Sequence, residues 1–237
     1  MKNLVLSLIV SLFGWTGIAL AENANVLFIL DGSGSMKAKI DAQEKMGIAK
    51  VVISNLIQEL PNNVKMGLVV YGHRSKGDCD DIELMSPVGQ SNKATLIQRI
   101  QSIDPKGKTP ITQSLVMAGE QLKGAEEQTT VVLVSDGEET CAGDPCAAVK
   151  SLMQQGIKLK VHVVGFDVTD KEKQQLICIA DAGGGKYFGA RNADQLKGAF
   201  AEVKKEVVQK VEVKPQPVAP QPAIPEKKVI KIAKIAG

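Results

Sequence analysis

The feature that most constrains the fold is an alternation of short apolar runs with amphipathic stretches between residues 24 and 210. Val26–Leu30 reads VLFIL, and Thr130–Ser135 reads TVVLVS. Apolar runs of this length are typical of strands that are buried on both faces of a sheet. The stretches between them, such as Ala42–Leu60, carry apolar residues at helical spacing. We therefore predict an α/β protein with a Rossmann-like, doubly wound, mostly parallel sheet and helices on both faces.

One antiparallel edge strand is expected in this sheet. The polar segment GHRSKGDCDD separates the apolar strand Val64–Tyr71 from a second strand at Ile82–Val88. A short polar connection of this kind favours an antiparallel hairpin, and Pro87 suits an edge position because it has no N–H to donate.

The acidic residues of this hairpin raise the alternative of a calcium-binding loop. An EF-hand loop that starts at Asp78 requires glycine at its sixth position, where the chain has Glu83. We therefore interpret Asp78, Asp80, Asp81 and Glu83 as an acidic, solvated surface.

Capping patterns predict where several helices begin. Asp144-Pro145 places an N-cap before a first-turn proline, and Pro110 suits the first turn of another helix. Thr169 with Glu172 has the spacing of a capping box, and Asn192 begins a similar pattern before the last helix.

Three polar loops are expected at the carboxyl edge of the sheet, where folds of this class bind ligands. The first apolar strand leads directly into Asp31-Gly-Ser33-Gly-Ser35, and the TVVLVS strand leads into Asp136. Thr109 lies in a third loop, just before a helix. Two carboxylates and three hydroxyls are hard oxygen ligands, which suit Mg²⁺, or alternatively Mn²⁺ or Ca²⁺. The sequence therefore predicts a metal site at Asp31, Ser33, Ser35, Thr109 and Asp136.

The charge of this site indicates what it binds. Two carboxylates balance one divalent cation, and hydroxyls add no charge. The cation therefore has capacity for one more anionic oxygen, which the Asp or Glu of a protein partner would provide.

These motifs resemble the von Willebrand factor type A family over about residues 24 to 208. DGSGS, the threonine of GKTP and SDG, in that order, look like the family's metal-ion-dependent adhesion site. The resemblance implies that Ser33, Ser35 and Thr109 coordinate the metal directly, and that Asp31 and Asp136 act directly or through water. Because Thr112 lies close to Thr109 in the sequence, the identity of the threonine ligand stays open. The family's fold also implies one antiparallel edge strand.

Four cysteines in an exported chain predict two disulfides, for which three connectivities exist. A Cys79–Cys178 bond would have to cross the sheet, so it is the least favoured. We predict Cys146–Cys178 with Cys79–Cys141, and the alternative pairs Cys79 with Cys146 and Cys141 with Cys178.

The two ends of the chain differ from the domain at 22–210. Residues 1–21 have the layout of a signal peptide, with Lys2, an apolar run and a final Ala-Leu-Ala. Residues 211–226 are a proline-rich linker, and residues 227–237 are a basic and apolar tail. We therefore predict a periplasmic or secreted protein with no stable membrane span after signal cleavage.

Composition limits the function. The chain carries 29 Lys+Arg and 26 Asp+Glu, and this near balance excludes a strongly basic nucleic-acid binder. We predict a non-enzymatic, metal-dependent protein-binding module of the adhesion type. One alternative is a scaffold or assembly protein that acts through its proline-rich basic tail, with a structural metal. A serine hydrolase that uses Ser33 or Ser35 is the weaker alternative, because the chain has only two histidines and neither is placed as a base.

Overall fold

A computed structural model describes residues 24–211, which form one α/β unit. The strands are β1 (Ala24–Asp31), β2 (Lys39–Ile40), β3 (Gln43–Glu44), β4 (Val64–Tyr71), β5 (Ile82–Ser86), β6 (Thr129–Ser135), β7 (Leu159–Phe166) and β8 (Gly184–Ala190). The helices are α1 (Lys45–Glu59), α2 (Lys93–Gln101), α3 (Ile111–Gln121), α4 (Pro145–Gln154), α5 (Asp170–Ala182) and α6 (Ala193–Val211). The predicted signal peptide, the linker beyond residue 211 and the basic tail lie outside the described residues.

Six strands form the main sheet in the order β5-β4-β1-β6-β7-β8. β5 runs antiparallel to β4 at one edge, and every other neighbouring pair in this sheet is parallel. This arrangement confirms the predicted mostly parallel sheet with one antiparallel edge strand. The sheet places the carboxyl ends of β1 and β6 side by side, with Leu30 opposite Val134.

Both faces of the sheet are covered, which explains why the strands have no polar alternation. Phe28 belongs to the core under α1, α2 and α6, whereas Leu27 and Ile29 belong to the core under α3, α4 and α5. All three side chains are fully buried.

Helix starts follow the capping patterns with small differences. The Asp144 carboxylate accepts the Ala147 N–H at 2.9 Å, and Thr169 and Glu172 form a complete capping box. Asn192 caps α6, but the Gln195 side chain binds the backbone N–H of Arg191, so this box is incomplete. Pro110 is the N-cap of α3 and not a first-turn residue.

The start of the first helix differs most from the sequence prediction. The chain between β1 and α1 forms a turn of 3-10 helix at Gly34–Lys37 and a small antiparallel β2–β3 hairpin. Asp41 and Ala42 adopt positive φ angles of 48° and 68° in its turn. Because these backbones are left-handed, α1 cannot begin at Ala42 and begins at Lys45.

Two disulfides link elements that are distant in sequence. Cys79 pairs with Cys141, and Cys146 pairs with Cys178, with Cα atoms 5.8 Å apart in each pair. This is the connectivity that the sequence favoured. The first bond joins the β4–β5 hairpin to the loop after β6, and the second joins α4 to α5.

Within residues 24–211, no helix combines the length and the apolar character needed to cross a bilayer.

Candidate metal centre

The loop after β1 is folded by its own aspartate and by the neighbouring strand. The Ser33 N–H donates to the Asp31 carboxylate at 2.8 Å, and the Gly32 N–H donates to the Tyr71 carbonyl at 2.8 Å. These bonds turn the chain sharply as it leaves the sheet. The single 3-10 turn that follows presents Ser35 on the same side as Ser33, with their hydroxyl oxygens 2.9 Å apart.

The structure joins this loop to the end of β6. The Ser35 hydroxyl donates to Oδ1 of Asp136 at 2.6 Å, across 101 residues of sequence. Asp31, Ser33, Ser35 and Asp136 therefore form one continuous polar cluster, as their positions in the sequence suggested.

Thr109 lies on a segment that packs directly against the serine loop. Gly107 forms a parallel bridge with Ser33, and its carbonyl accepts the Gly34 N–H at 3.1 Å. The Thr109 N–H donates to the Thr140 hydroxyl at 2.8 Å, and Thr109 itself is buried. The alternative, Thr112, turns its hydroxyl toward Gly143. The contacts therefore favour Thr109 as the threonine of this cluster.

Close approach of the three loops requires glycine at position 72. Gly72 has φ +67°, and a Cβ there would overlap the carbonyl oxygen of Lys108 and lie 3.1 Å from the Ser33 N. Its carbonyl accepts the N–H groups of Lys106 and Gly107. A side chain at this position would push the Thr109 segment away from Ser33.

Two buried hydroxyl groups, those of Ser135 and Tyr71, hold the Asp31 carboxylate in place. The Ser135 hydroxyl donates to Oδ2 of Asp31 at 2.7 Å, and the Tyr71 hydroxyl donates to Ser135 at 3.1 Å. Sequence reasoning singled out Asp136 in the SDG motif but not its neighbour Ser135. The sequence signal that could have identified Ser135 is its position at the end of β6, next to the end of β1 where Asp31 lies.

The two carboxylates of the cluster repel each other electrostatically. Asp31 is 1% exposed and Asp136 is 4% exposed. Burial, together with the charge of Asp31, raises the pKa of Asp136 to about 6, although Ser35 and Lys45 act in the opposite direction. The protein has therefore placed two acidic groups where their joint ionisation is unfavourable unless a cation joins them.

Lys45 is a member of the cluster that sequence reasoning missed. Its ammonium lies 3.1 Å from Oδ2 of Asp136 and 3.0 Å from Oδ2 of Asp167, and its side chain is 8% exposed. Burial alone would lower the pKa of Lys45, but the two carboxylates outweigh it and raise the pKa. Nothing in the sequence near Lys45 indicates contacts with residues 91 and 122 positions away.

The donor set fits a hard divalent cation. Among residues 24–211, no group of three or more His, Cys, Asp or Glu side chains is arranged to hold a metal ion. The predicted site differs from such groups because most of its ligands are hydroxyls. Carboxylate and hydroxyl oxygens suit Mg²⁺, Mn²⁺ or Ca²⁺ and do not suit a thiophilic metal.

The sequence matches the von Willebrand factor type A domain over residues 25–202. The chain belongs to the von Willebrand factor type A family. It is 33% identical over 209 residues to the uncharacterized protein YwmC of Bacillus subtilis, covering 81% of this chain and 91% of that protein.

Solved structures of this family have the same fold. BatB from Bacteroides thetaiotaomicron matches with a TM-score of 0.65 and 22% identity, covering 79% of this chain and 98% of BatB. The vWF domain of the type V pili tip protein Mfa5 from Porphyromonas gingivalis matches with a TM-score of 0.66 and 14% identity, covering 83% of this chain and 98% of that domain.

Proposed function

We propose that the protein is an exported adhesion module that binds a partner protein through a divalent cation. The cation is Mg²⁺, or alternatively Mn²⁺ or Ca²⁺, and its ligands are Asp31, Ser33, Ser35, Thr109 and Asp136. When bound, it supplies a positive, Lewis-acidic position for a ligand carboxylate. The observation that carries this proposal is the convergence of Ser33, Ser35 and Asp136, which come from two separate loops.

The chemistry of the cluster favours an oxygen ligand from a partner. Asp31, Asp136 and Asp167 contribute three negative charges, and the ammonium of Lys45 offsets one of them. A divalent cation would therefore bring the loaded site to neutrality while keeping its preference for hard oxygen ligands. An Asp or Glu side chain of the partner would supply one more such oxygen and complete the coordination of the metal.

Access to the site comes from the side of Ser35. Asp31, Ser33, Thr109 and Asp136 are buried, whereas Ser35 is exposed. A partner side chain would reach the cation from this side without any change in the sheet below.

The description of one solved neighbour agrees with an adhesive role. The neighbour Mfa5 is described as a pilus tip protein, but its low identity establishes the fold alone. Two disulfides suit an oxidising compartment, which agrees with export to the periplasm or the medium.

The hydrolase alternative has less support. The Ser33 and Ser35 hydroxyls contact each other and Asp136, while Nε2 of His73 lies 3.1 Å from Glu83. His162 lies on β7, 3.2 Å from Glu206. A serine nucleophile needs an adjacent base, so we propose no catalytic role for either serine.

Calorimetric titration of the metal-stripped full chain with MgCl₂ tests the proposal. We expect saturable binding that Asp31→Ala abolishes. The matched control is Asp181→Ala, which removes an exposed aspartate from the last turn of α5. Capture of exported proteins should require Mg²⁺ and fail for Asp31→Ala but not for Asp181→Ala. Capture that survives chelation and both substitutions would refute metal-dependent adhesion.

A further inference from the structure

A cleft opens at the carboxyl ends of β7 and β8, on the same edge of the sheet as the candidate metal centre. It has a volume of about 360 Å³, and its lining includes Gly165, Val168, Lys173, Tyr187 and Arg191. Gly165 lets Tyr187 form one wall of the cleft. A Cβ at this position would overlap the Tyr187 hydroxyl and lie 2.8 Å from the Tyr187 ring, which crosses over this glycine.

The walls of the cleft carry an excess of positive charge. Lys173 and Arg191 line it opposite a single carboxylate, that of Asp170. Neither cationic side chain belongs to an ion pair among the residues that the structure describes. Asp170 is also the first residue of α5, so the helix N-terminus offsets part of its charge.

Tyr187 adds a hydroxyl donor to these cations. Its ring is half-buried, and burial raises its pKa, although Arg191 acts in the opposite direction. The hydroxyl therefore stays protonated at neutral pH and can donate to an anion.

One residue, Asp167, links the cleft to the candidate metal centre. Asp167 follows the last residue of β7, and its carboxylate binds Lys45, which also binds Asp136. The next residue, Val168, lines the cleft. Asp167 has a positive φ of 58°, a conformation that is uncommon for a residue with a side chain. A partner that reaches the metal along this edge therefore meets the cleft next.

We propose that the cleft binds an acidic side chain of the partner protein through Lys173, Arg191 and the Tyr187 hydroxyl. It would be a second anchoring point beside the carboxylate that completes the metal site. The identity of the ligand as an acidic protein surface rests on the proposed function. The capacity of the cleft to bind carboxylates is independent of the metal.

Nuclear magnetic resonance of the ¹⁵N-labelled full chain in EDTA tests this binding separately. The probe is an acetylated tetraglutamate peptide, with acetylated tetraglutamine as the uncharged control. We expect saturable shifts of the amides of Gly165, Val168, Gly189 and Arg191 with tetraglutamate only. Because two partly exposed ion pairs are lost, the double variant Lys173→Gln, Arg191→Gln should bind about tenfold more weakly.

Two further variants keep the test decisive. Lys65→Gln, Lys150→Gln removes the same charge from exposed positions outside the cleft and should bind within about twofold of the wild type. Lys173→Gln alone changes an exposed side chain and should weaken binding about threefold. Equal binding of tetraglutamine, or equal losses in the two double variants, would overturn the proposal. If these shifts appear but Mg²⁺ does not bind, the proposal for the cleft is supported and only the metal-dependent function is refuted.

Discussion

Asp81 and Asp136 are two buried carboxylates in very different surroundings. Asp81 is 1% exposed and accepts the N–H groups of Arg74 and Ser75 and the guanidinium of Arg74, each at 2.7 Å. Burial alone would raise the pKa of Asp81, but these bonds outweigh it and lower the pKa. Asp136 has a pKa raised to about 6 by burial and by Asp31.

The difference distinguishes a carboxylate with a structural role from one that is suited to bind a metal ion. The Asp81 carboxylate is already paired with the Arg74 guanidinium and two backbone N–H groups, so no metal ion is required to balance it. Asp136 shares a buried cluster with a second carboxylate, and the one ammonium of Lys45 does not balance both. A divalent cation would offset both the burial and the repulsion by Asp31 that raise the pKa of Asp136.

The largest effect on folding should come from Asp81→Ala. It removes a carboxylate that satisfies a guanidinium and two backbone N–H groups, so we expect a loss of about 3 kcal/mol in the free energy of unfolding. Urea unfolding should give the same loss in EDTA and in Mg²⁺. Asp78→Ala, at an exposed position in the same hairpin, is the control and should cost less than about 1 kcal/mol. A small effect of Asp81→Ala would contradict its structural role.

Asp136→Asn, unlike Asp81→Ala, should have a small effect on stability in EDTA and a large effect in Mg²⁺. In EDTA the substitution relieves repulsion with Asp31 but also removes a carboxylate partner of Lys45, so stability should stay within about 1 kcal/mol of the wild type. In Mg²⁺ at 100 times its dissociation constant, the wild type should gain about 2.7 kcal/mol, and the variant should gain nothing. Thermal unfolding with and without Mg²⁺ measures both. An equal gain in the variant would show that Asp136 is not a ligand.

The raised pKa of Asp136 predicts a pH dependence with a definite sign. The pKa of Asp136 is about 6 in the folded protein, compared with 3.8 for an unperturbed aspartate side chain. In EDTA, the contribution of this group to stability is therefore present below pH 3.8 and is lost as the pH rises through 6. Mg²⁺ needs the ionised carboxylate, so its stabilising effect should shrink as the pH falls from about 7 to about 5. Asp136→Asn should abolish both trends in matched thermal scans.

Lys45→Met should separate the effect of the Lys45 ammonium on Asp136 from the effect of the metal ion. In EDTA the variant leaves Asp136 without its buried cation, and we expect a loss of about 1 to 2 kcal/mol in unfolding free energy. In calorimetry it should bind Mg²⁺ roughly tenfold more tightly, because an ammonium no longer repels the metal. Lys45→Arg keeps the charge and should retain the wild-type affinity. Weaker Mg²⁺ binding in Lys45→Met would mean that Lys45 acts mainly by positioning Asp136.

The smallest effect is expected from deletion of residues 212–237. The five candidate metal ligands all lie within residues 24–211, so Mg²⁺ affinity should stay within about twofold of the wild type. Metal-dependent capture of a partner should also persist. Loss of capture with intact Mg²⁺ binding would favour the scaffold alternative, in which the tail carries the interaction.

Much of the fold was predictable because its strands are buried on both faces. Apolar runs such as VLFIL indicate central strands, and capping residues such as Thr169 mark helix starts. The β2–β3 hairpin was not predictable, because Asp41 and Ala42 are neither glycine nor asparagine and still adopt positive φ angles. The sequence indicates a short last strand only at Lys186–Phe188, whereas β8 spans Gly184–Ala190, because its three glycines at 184, 185 and 189 weaken the strand pattern.

The candidate site was predictable only where its residues follow strands. Asp31 and Asp136 end up together because β1 and β6 are parallel neighbours. Lys45 was missed because its contacts with Asp136 and Asp167 depend on tertiary packing. The interpretation of Asp81 as a solvated residue was wrong, because local backbone N–H groups and Arg74 enclose it. Sequence spacing shows neither burial nor the partners that decide the charge state of a carboxylate.

A crystal structure of the full chain grown with Mn²⁺ tests the central claim most directly. An anomalous difference map should show one strong peak in the cluster, within about 2.3 Å of the Ser33 and Ser35 hydroxyl oxygens. The same map of Asp136→Asn should lack it. A peak at the exposed carboxylates of the β4–β5 hairpin, with none between Ser33, Ser35 and Asp136, would contradict the account.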